Sequence, residues 1–397
     1  MAATHIALAE TTSNVLAGSR VRDVSKKIHE VDPNAAPFTL FFSKADSKVA
    51  INPKFEWQEK GLPEKWLTVN DGANIAATVT TITVDTPSGN YVRAGNILSV
   101  VRTGEKLLVV TASSATSMVV IRAFDGDQVT GSQINDGDDI KIIGSAHAEG
   151  ADVGSLHSYQ ETQPYNYTQI FRRAFGATRT LTNSELYSGN SRSRQAMENA
   201  RDFKILLEES FIYGERSALS TQETSATLGP RRTSGGILAF ATTTQNMGGT
   251  MTESELETFA QTAFNSTGGS SERFLAASAT AVSAIDQLAA ARLQVVPREK
   301  TYGVAITRWV TGHGEFNIVK HRLLESNTVV ADGFAGHMIA IDPKKIGYRY
   351  LADSNIKLLK DRQAPGVDGW TDEYLAEIGW EIRNGPECHT VATGITG

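Results

Sequence analysis

Hydrophobic and polar positions follow two different rhythms along the chain. Between residues 75 and 145 the apolar residues fall in short β-prone runs: Thr78–Val84, Ile97–Arg102, Leu107–Thr111, Met118–Ile121 and Ile140–Ile143. Pro87-Ser88-Gly89, Thr103-Gly104, Asp125-Gly126 and Asp136-Gly137 punctuate them, and such residues mark turns. Short strands separated by regular turns predict a small all-β barrel or sandwich. No helical period interrupts this stretch.

Beyond residue 181 the period changes. Met197, Ala200, Phe203 or Lys204, Leu207 and Phe211 recur at spacings of three and four, which predicts one long helix from about Arg192 to Tyr213, ended by Gly214. Its other face carries Arg194, Glu198, Arg201, Asp202, Glu208 and Glu209. Thr182 with Glu185 matches the capping-box pattern, and so does Thr252 with Glu255. The second of these opens a helix over Glu253–Phe264 with Leu256, Phe259, Ala260 and Ala263 inward. A helix over Thr280–Arg292 points Val282, Ile285, Leu288 and Ala289 inward. Strands are predicted at Ile237–Ala241, Phe274–Ala277, Met338–Ile341, Tyr348–Leu351, Tyr374–Ile382 and His389–Ile395. A hairpin joins Val304–Val310 to Phe316–Arg322. Strands and helices are segregated, so the fold class is α+β.

Upstream, residues 1–50 read as an arm, broken at Asp32-Pro33-Asn34 and Pro37 and holding one apolar run before Ala50, Phe38–Phe42. Phe38, Phe41, Phe42, Trp57, Leu62, Trp66 and Leu67 are either interface residues or folded back on their own core, and the two readings weigh equally.

Composition narrows the function. A chain of 397 residues allows two or three domains. One cysteine, Cys388, rules out an internal disulfide framework and a cysteine-based zinc cage. With 38 basic against 44 acidic residues the net charge is -6, which argues against sequence-specific DNA reading but leaves local, non-specific backbone contact open. Thr233–Thr252 carries no charge but is too rich in Thr, Gly and Ser for a membrane span. Met1–Glu10 does not read as a secretory signal.

The search for chemistry finds little. No Gly-Lys dipeptide exists, so a Walker A loop is excluded; no dinucleotide fingerprint or Gly-x-Ser-x-Gly elbow occurs. Cys388 beside His389 reads as a small buried thiol. His147, Glu149, Asp152 and His157 lack the spacing of a metal site. No catalytic residue, metal or cofactor is expected. Basic residues cluster at Arg20, Arg22, Lys26 and Lys27, at Arg172, Arg173 and Arg179, and at Arg192, Arg194 and Arg201.

Four stretches together resemble a known family. Glu56-Trp57-Gln58-Glu59 precedes the β-rich stretch. Ala146-His147-Ala148-Glu149-Gly150 follows it and leads into Asn166-Tyr167-Thr168-Gln169-Ile170-Phe171. Arg232-Thr233-Ser234-Gly235-Gly236-Ile237 comes after the long helix, and Gly314-Glu315-Phe316-Asn317-Ile318-Val319 closes the hairpin. In order and spacing the chain resembles the major capsid proteins of tailed bacteriophages with the Hong Kong 97-type fold, in a branch with a β domain inserted in the E-loop.

That resemblance implies an N-terminal arm over 1–50, an E-loop over 51–75 and 146–175, and an inserted β domain over 76–145. It implies a peripheral (P) domain over 176–235 and 341–397 with the long helix as its spine, and an axial (A) domain over 236–340. The implied function is structural. Pentamers and hexamers would close into an icosahedral shell around double-stranded DNA, in the virion, after assembly in the host bacterial cytoplasm. Implied partners are the chain itself, a portal protein, scaffolding and decoration proteins, and packaged DNA held non-specifically, with no membrane. Inter-subunit candidates are Phe38, Phe41, Phe42, Glu56, Trp57, Lys60, Lys65 and Trp66. Lumen-facing candidates are Arg20, Arg22, Lys26, Lys27, Arg192, Arg194 and Arg201. No crosslinking triplet and no cleaved leader are expected. The rival readings are an encapsulin-like compartment shell, another virion protein such as a tail-tube or decoration protein, and a hydrolase built on the His147–His157 cluster.

Overall fold

The structure, a computed structural model, describes residues 37–62, 65–86, 88–124, 132–150, 158–184, 191–219, 229–266, 268–292, 296–301, 304–324 and 334–396. In chain order the elements begin with α1 (Pro37–Ala45), β1 (Ser47–Ala50) and β2 (Lys54–Glu56). Six strands follow: β3 (Trp66–Thr68), β4 (Thr81–Thr83), β5 (Asn96–Val100), β6 (Lys106–Ala112), β7 (Ser117–Ile121) and β8 (Asp139–Ser145). Next come β9 (Tyr165–Tyr167), β10 (Gln169–Thr178), α2 (Arg179–Asn183), α3 (Ser191–Tyr213), β11 (Ser217–Leu219), β12 (Arg231–Thr233) and α4 (Ile237–Phe240). Then come β13 (Thr243–Gly249), α5 (Glu253–Phe264), β14 (Glu272–Ala277), α6 (Ala279–Arg292), β15 (Val296–Thr301), β16 (Val304–Val310) and β17 (Glu315–Lys320). The chain closes with β18 (Met338–Ile341), β19 (Ile346–Leu351), β20 (Lys357–Leu359), β21 (Gly369–Ile382), α7 (Gly385–Cys388) and β22 (Thr390–Ile395).

The chain divides into two compact units. One holds the chain up to Trp57 and from Pro164 onward, and the other is Gln58–Gln163. In the second unit the strands run in the order β3-β8-β5-β6-β7-β4. A bridge between Val69 and Val84 then joins β3 to β4, with Asn70 N donating to Thr83 O and Asp85 N to Thr68 O. The sheet therefore closes into a barrel, which removes its edges. Leu67, Ile82, Leu98, Leu107, Met118 and Ile140 alternate inward to fill it. Glu105 and Arg122 pair inside, both nearly without exposure. Because β3 and the Ile75–Ile134 bridge belong to this barrel, the β sheet extends beyond the 76–145 expected from sequence.

The first unit is the α+β body. A five-stranded sheet runs β1-β19-β21-β10, with β20 also on β21. On it α3 lays Phe203, Leu207 and Phe211, all buried. A seven-stranded sheet runs β13-β22-β18-β14-β17-β16-β15 and shares a core with α5 and α6 through Leu256, Phe259, Ile285 and Phe316. The last strand, β22, sits in this seven-stranded sheet between β13 and β18.

Local expectations divide by how short-ranged their signals are. The Thr252–Glu255 capping box forms in both directions. Pro37 opens α1 instead of breaking it, since proline suits the first helical position. Ile237–Phe240 is a helical turn, not a strand, with Ala241 N bonded to Ile237 O. Four apolar residues do not distinguish the two states by period. Thr182 lies inside α2, whose N-cap is Thr178; Glu185 lies outside the described residues. The ten-residue β10, with Arg172-Arg173 in its midst, lies in the five-stranded sheet of the body. Its partner β21 lies far along the chain, with Arg172 and Glu373 201 residues apart.

Candidate functional site

The catalytic candidates do not assemble. Cys388 is buried in α7 with its Sγ 3.5 Å from Ser266 Oγ. The neighbouring His389 ring turns its Nδ1 to accept from Asp342 N at 3.2 Å. Burial first, and Arg273 second, push the His389 pKa down to about 3, so it is a neutral ring. His147 and Glu149 are exposed; Asp152 and His157 lie outside the described residues. Among the described residues no three His, Cys, Asp or Glu side chains are placed to hold a metal ion, and no helix is long and apolar enough to cross a membrane.

What does assemble is the root from which the β unit departs, built from the sequence motifs around Asn166 and Ser234. Trp57 N bonds to Pro164 O at 3.1 Å, closing the ribbon β2-β9. Asn166, fully buried, uses its whole amide. Nδ2 donates to Gly235 O at 2.9 Å and to Trp380 O at 2.7 Å, while Oδ1 accepts from Gly235 N at 2.8 Å and from Tyr167 N at 2.9 Å. Two donors and two lone pairs are all an asparagine side chain has. Gln169 Oε1 accepts from Ser234 N at 3.1 Å, and Ser234 Oγ accepts from Trp380 N at 3.2 Å. Thr168 Oγ1 donates to Glu377 Oε1 at 2.8 Å. Gly379 lets the ribbon sit against β21, since a Cβ there would lie 2.6 Å from Tyr167 O and 2.7 Å from the Phe55 ring. Trp57 covers the junction against Phe240, centroids 5.9 Å apart.

A second buried junction fixes α1, and sequence reasoning missed it. Glu208 was placed on the polar face of the long helix, yet it has no exposure. Its carboxylate accepts from Phe38 N at 2.9 Å, Thr39 N at 2.6 Å and Thr39 Oγ1 at 2.5 Å, and lies 2.8 Å from His321 Nε2. It thus caps the first amides of α1 from another element, which suits both the orphan N–H groups and the helix dipole. His321 stacks on Phe38 at 5.3 Å and 3°. The signal missing from the sequence was the partner: a carboxylate 170 residues from the amide it binds.

These junctions show where the interface candidates lie within the single chain. Phe38 and Phe42 are buried in the chain's own core, and Trp57 is only 7% exposed, because α1 and the ribbon pack inward on the long helix and α4. Phe41 is half-buried against Phe274. Glu56, Lys60, Lys65 and Trp66 are exposed; Lys60 lies 3.7 Å from Glu161, and Lys141 sits over the Trp66 ring. Leu67 fills the barrel, whereas Leu62 is exposed.

Among the described residues Arg172, Arg173, Arg179, Arg192 and Arg194 each lie beside a carboxylate. Arg192 grips Asp372 at 2.8 and 2.6 Å, reaches Asp361 at 3.0 Å and lies over Trp370. Burial pushes the Asp372 carboxyl up, but the Arg192 hydrogen bond and charge outweigh it and hold it below the usual carboxylate range. Arg172 pairs with Glu373, Arg173 with Asp202 and Arg179 with Asp368. Arg194 lies 3.6 Å from Glu198, and Arg201 is half-buried on the same helix. Arg192 is therefore a structural pin between α3 and β21. Arg20, Arg22, Lys26 and Lys27 lie outside the described residues.

Comparison with known proteins gives a family-model match to "SU10 major capsid protein" over residues 6–396. A major capsid protein of Pseudomonas phage PaMx41 is 22% identical over 282 residues, spanning 64% of this chain and 65% of that protein. The chain thus covers just under two thirds of that relative's length. The capsid of a native GTA particle aligns at 8% identity with a TM-score of 0.49, covering 98% of this chain and 100% of that one. A chain from Gordonia phage Cozz aligns at 10% identity with a TM-score of 0.47, covering 96% and 92%. With nearly its whole length matched by the family model, the chain belongs to the SU10 major capsid protein family.

Proposed function

We propose that the chain is the shell-forming subunit of a tailed-phage capsid, with the Hong Kong 97-type layout. The single observation that carries this is the family-model match across residues 6–396. In this reading the body supplies the P and A domains: α3 is the spine on the five-stranded sheet, and the seven-stranded sheet is the axial part. The ribbon β2-β9 and the barrel form the E-loop and its inserted domain. Copies associate as pentamers and hexamers in a closed shell around double-stranded DNA, since closed symmetry is what limits assembly to a particle. Portal, scaffolding and decoration proteins complete the virion, which assembles in the host bacterial cytoplasm. The role is structural: the buried polar groups at Asn166 and Glu208 hold elements in place. A net charge of -6, with Arg172 and Arg192 matched by Glu373 and Asp372, suits a genome that must later leave, because phosphate binding needs unmatched positive charge.

Negative-stain electron microscopy of the purified protein, with nuclease protection on the same sample, tests this. Closed polyhedral particles that protect DNA are the expected result. Closed particles filled with protein cargo would replace the phage shell with a cellular compartment, and open rings or tubes would overturn the shell reading.

A further inference from the structure

We infer that the free edge of β2 pairs with the same edge of a second copy of this chain, antiparallel and about a two-fold axis at Phe55. The inference rests on the shell-subunit reading.

Among the described residues β2 has one strand partner, β9. The register places Phe55 opposite Asn166, and Thr168 N bonds to Pro53 O while Trp57 N bonds to Pro164 O. Residues 53, 55 and 57 thus turn their peptide groups toward β9. Peptide groups alternate between the two edges of an antiparallel strand, so Lys54 and Glu56 present theirs on the open side. An open edge is a template for another strand.

Charge names the occupant. Lys54 and Glu56 are both exposed and lie on one face, 2.5 Å apart as an ion pair. If an identical strand runs antiparallel with Phe55 at the axis, Lys54 lies opposite Glu56 of the partner subunit, and the pair is repeated by symmetry. The two charged pairs are then the hydrogen-bonded ones, and Phe55 forms the closer, non-hydrogen-bonded pair. A parallel, in-register pairing would instead set lysine on lysine and glutamate on glutamate, which is unfavourable. The strand is therefore complementary to itself in one orientation, as an isologous contact requires. Three residues alone make a small contact. Ile51, 91% exposed, precedes the strand, and an open groove of about 670 Å³ lined by Pro53, Tyr167, Ala218 and Pro230 lies along it; both offer further area.

Charge reversal with mixing is the test. The K54E chain carries two acidic side chains on the edge and the E56K chain two basic ones, so each opposes itself and complements the other. Each variant alone is expected to lose particle yield by about tenfold, and a one-to-one mixture to recover it. Loss of the internal Lys54–Glu56 ion pair would not be repaired by mixing. As a second route, F55C places two thiols across the axis at a Cα separation of about 4.5 Å, which a disulfide spans. The only native cysteine, Cys388, is buried, so oxidation should give a covalent dimer on a non-reducing gel. Normal particles from either charge variant alone, no recovery on mixing, or wild-type-like F55C particles without the dimer would overturn the edge pairing and leave the shell reading intact. An F55C dimer from a chain that never closes into particles would support the pairing and overturn the shell.

Discussion

The barrel and the body solve the same problem, covering strands and buried charge, by opposite means. In the barrel β5, β6 and β7 pair as successive hairpins, and the Val69–Val84 bridge closes the ring. Its buried carboxylate Glu105 finds Arg122 only 17 residues away, and receives Ala123 N and Ser132 N as well. In the body β10 meets β21 across 201 residues, and Glu208 caps α1 across 170. Closure of long loops costs entropy that local pairing avoids. The barrel is therefore a local structure that stands on its own contacts, while the body needs its first helix and its last strand in place together.

The sharpest way to break this comparison is to damage one unit and watch the other. Phe211 is fully buried and packs on Phe38, Phe42 and Trp380. Phe211→Ala should cost about 3–5 kcal/mol and lower the body's calorimetric transition while the barrel's stays put. Two transitions moving together would show that the units do not unfold separately. The reciprocal change is Glu105→Ala, which leaves Arg122 buried without its partner. It should cost the barrel about 3 kcal/mol and spare the body, read by the same calorimetry or by hydrogen exchange of β6.

Acid should separate the units more gently. In the unfolded chain His389 titrates near 6.5, and in the fold its pKa is pushed down to about 3. Below pH 6.5 the unfolded state binds a proton that the folded state refuses. The body is thus most stable above that pH and loses at most about 1.4 kcal/mol per pH unit from this group as pH falls toward 3. In the barrel, burial raises Glu105, but Arg122, Ala123 and Ser132 outweigh it and hold it below its ordinary 4.5. Arg102 lowers Asp138 in the same way. Those contributions are full above the ordinary carboxylate range and fade only as pH falls through the lowered values. Between pH 6.5 and 4.5 the body should weaken first, and a barrel transition that moves first would reverse the assignment. The smallest effect is expected at Thr252→Ala, about 1 kcal/mol from loss of one side-chain cap. It should appear in thermal melts of the body alone.

The same contrast explains what could be read from the chain. The barrel strands fall close to where alternation and turn residues placed them, because each of those signals lies within the strand itself or the turn beside it. The long helix, the capping box at Thr252 and the hairpin over Val304–Lys320 are legible for the same reason. Glu208 is not. On a helical wheel it belongs with the polar positions, and only the arrival of α1 and His321 makes its burial favourable. Nothing beside Arg192 in the sequence announces Asp372 and Asp361, which only the fold brings to it. Phe38 and Phe42 stood equally for an interface and for a core, and packing against Phe211 decided between them.

By itself, then, the sequence determined the α+β class, the β-rich excursion, the main helices and the motifs that belong to a capsid family. These are local patterns, set by side-chain period, turn chemistry and caps. Only the tertiary structure decided that the excursion closes into a barrel, that Asn166 locks its root to Gly235 and Trp380, that Glu208 holds α1, and that the last strand joins the seven-stranded sheet. Each of those depends on which distant groups meet. A carboxylate or an amide carries no mark of its partner in its own neighbourhood, because hydrogen bonding and burial are decided by proximity in space and not along the chain.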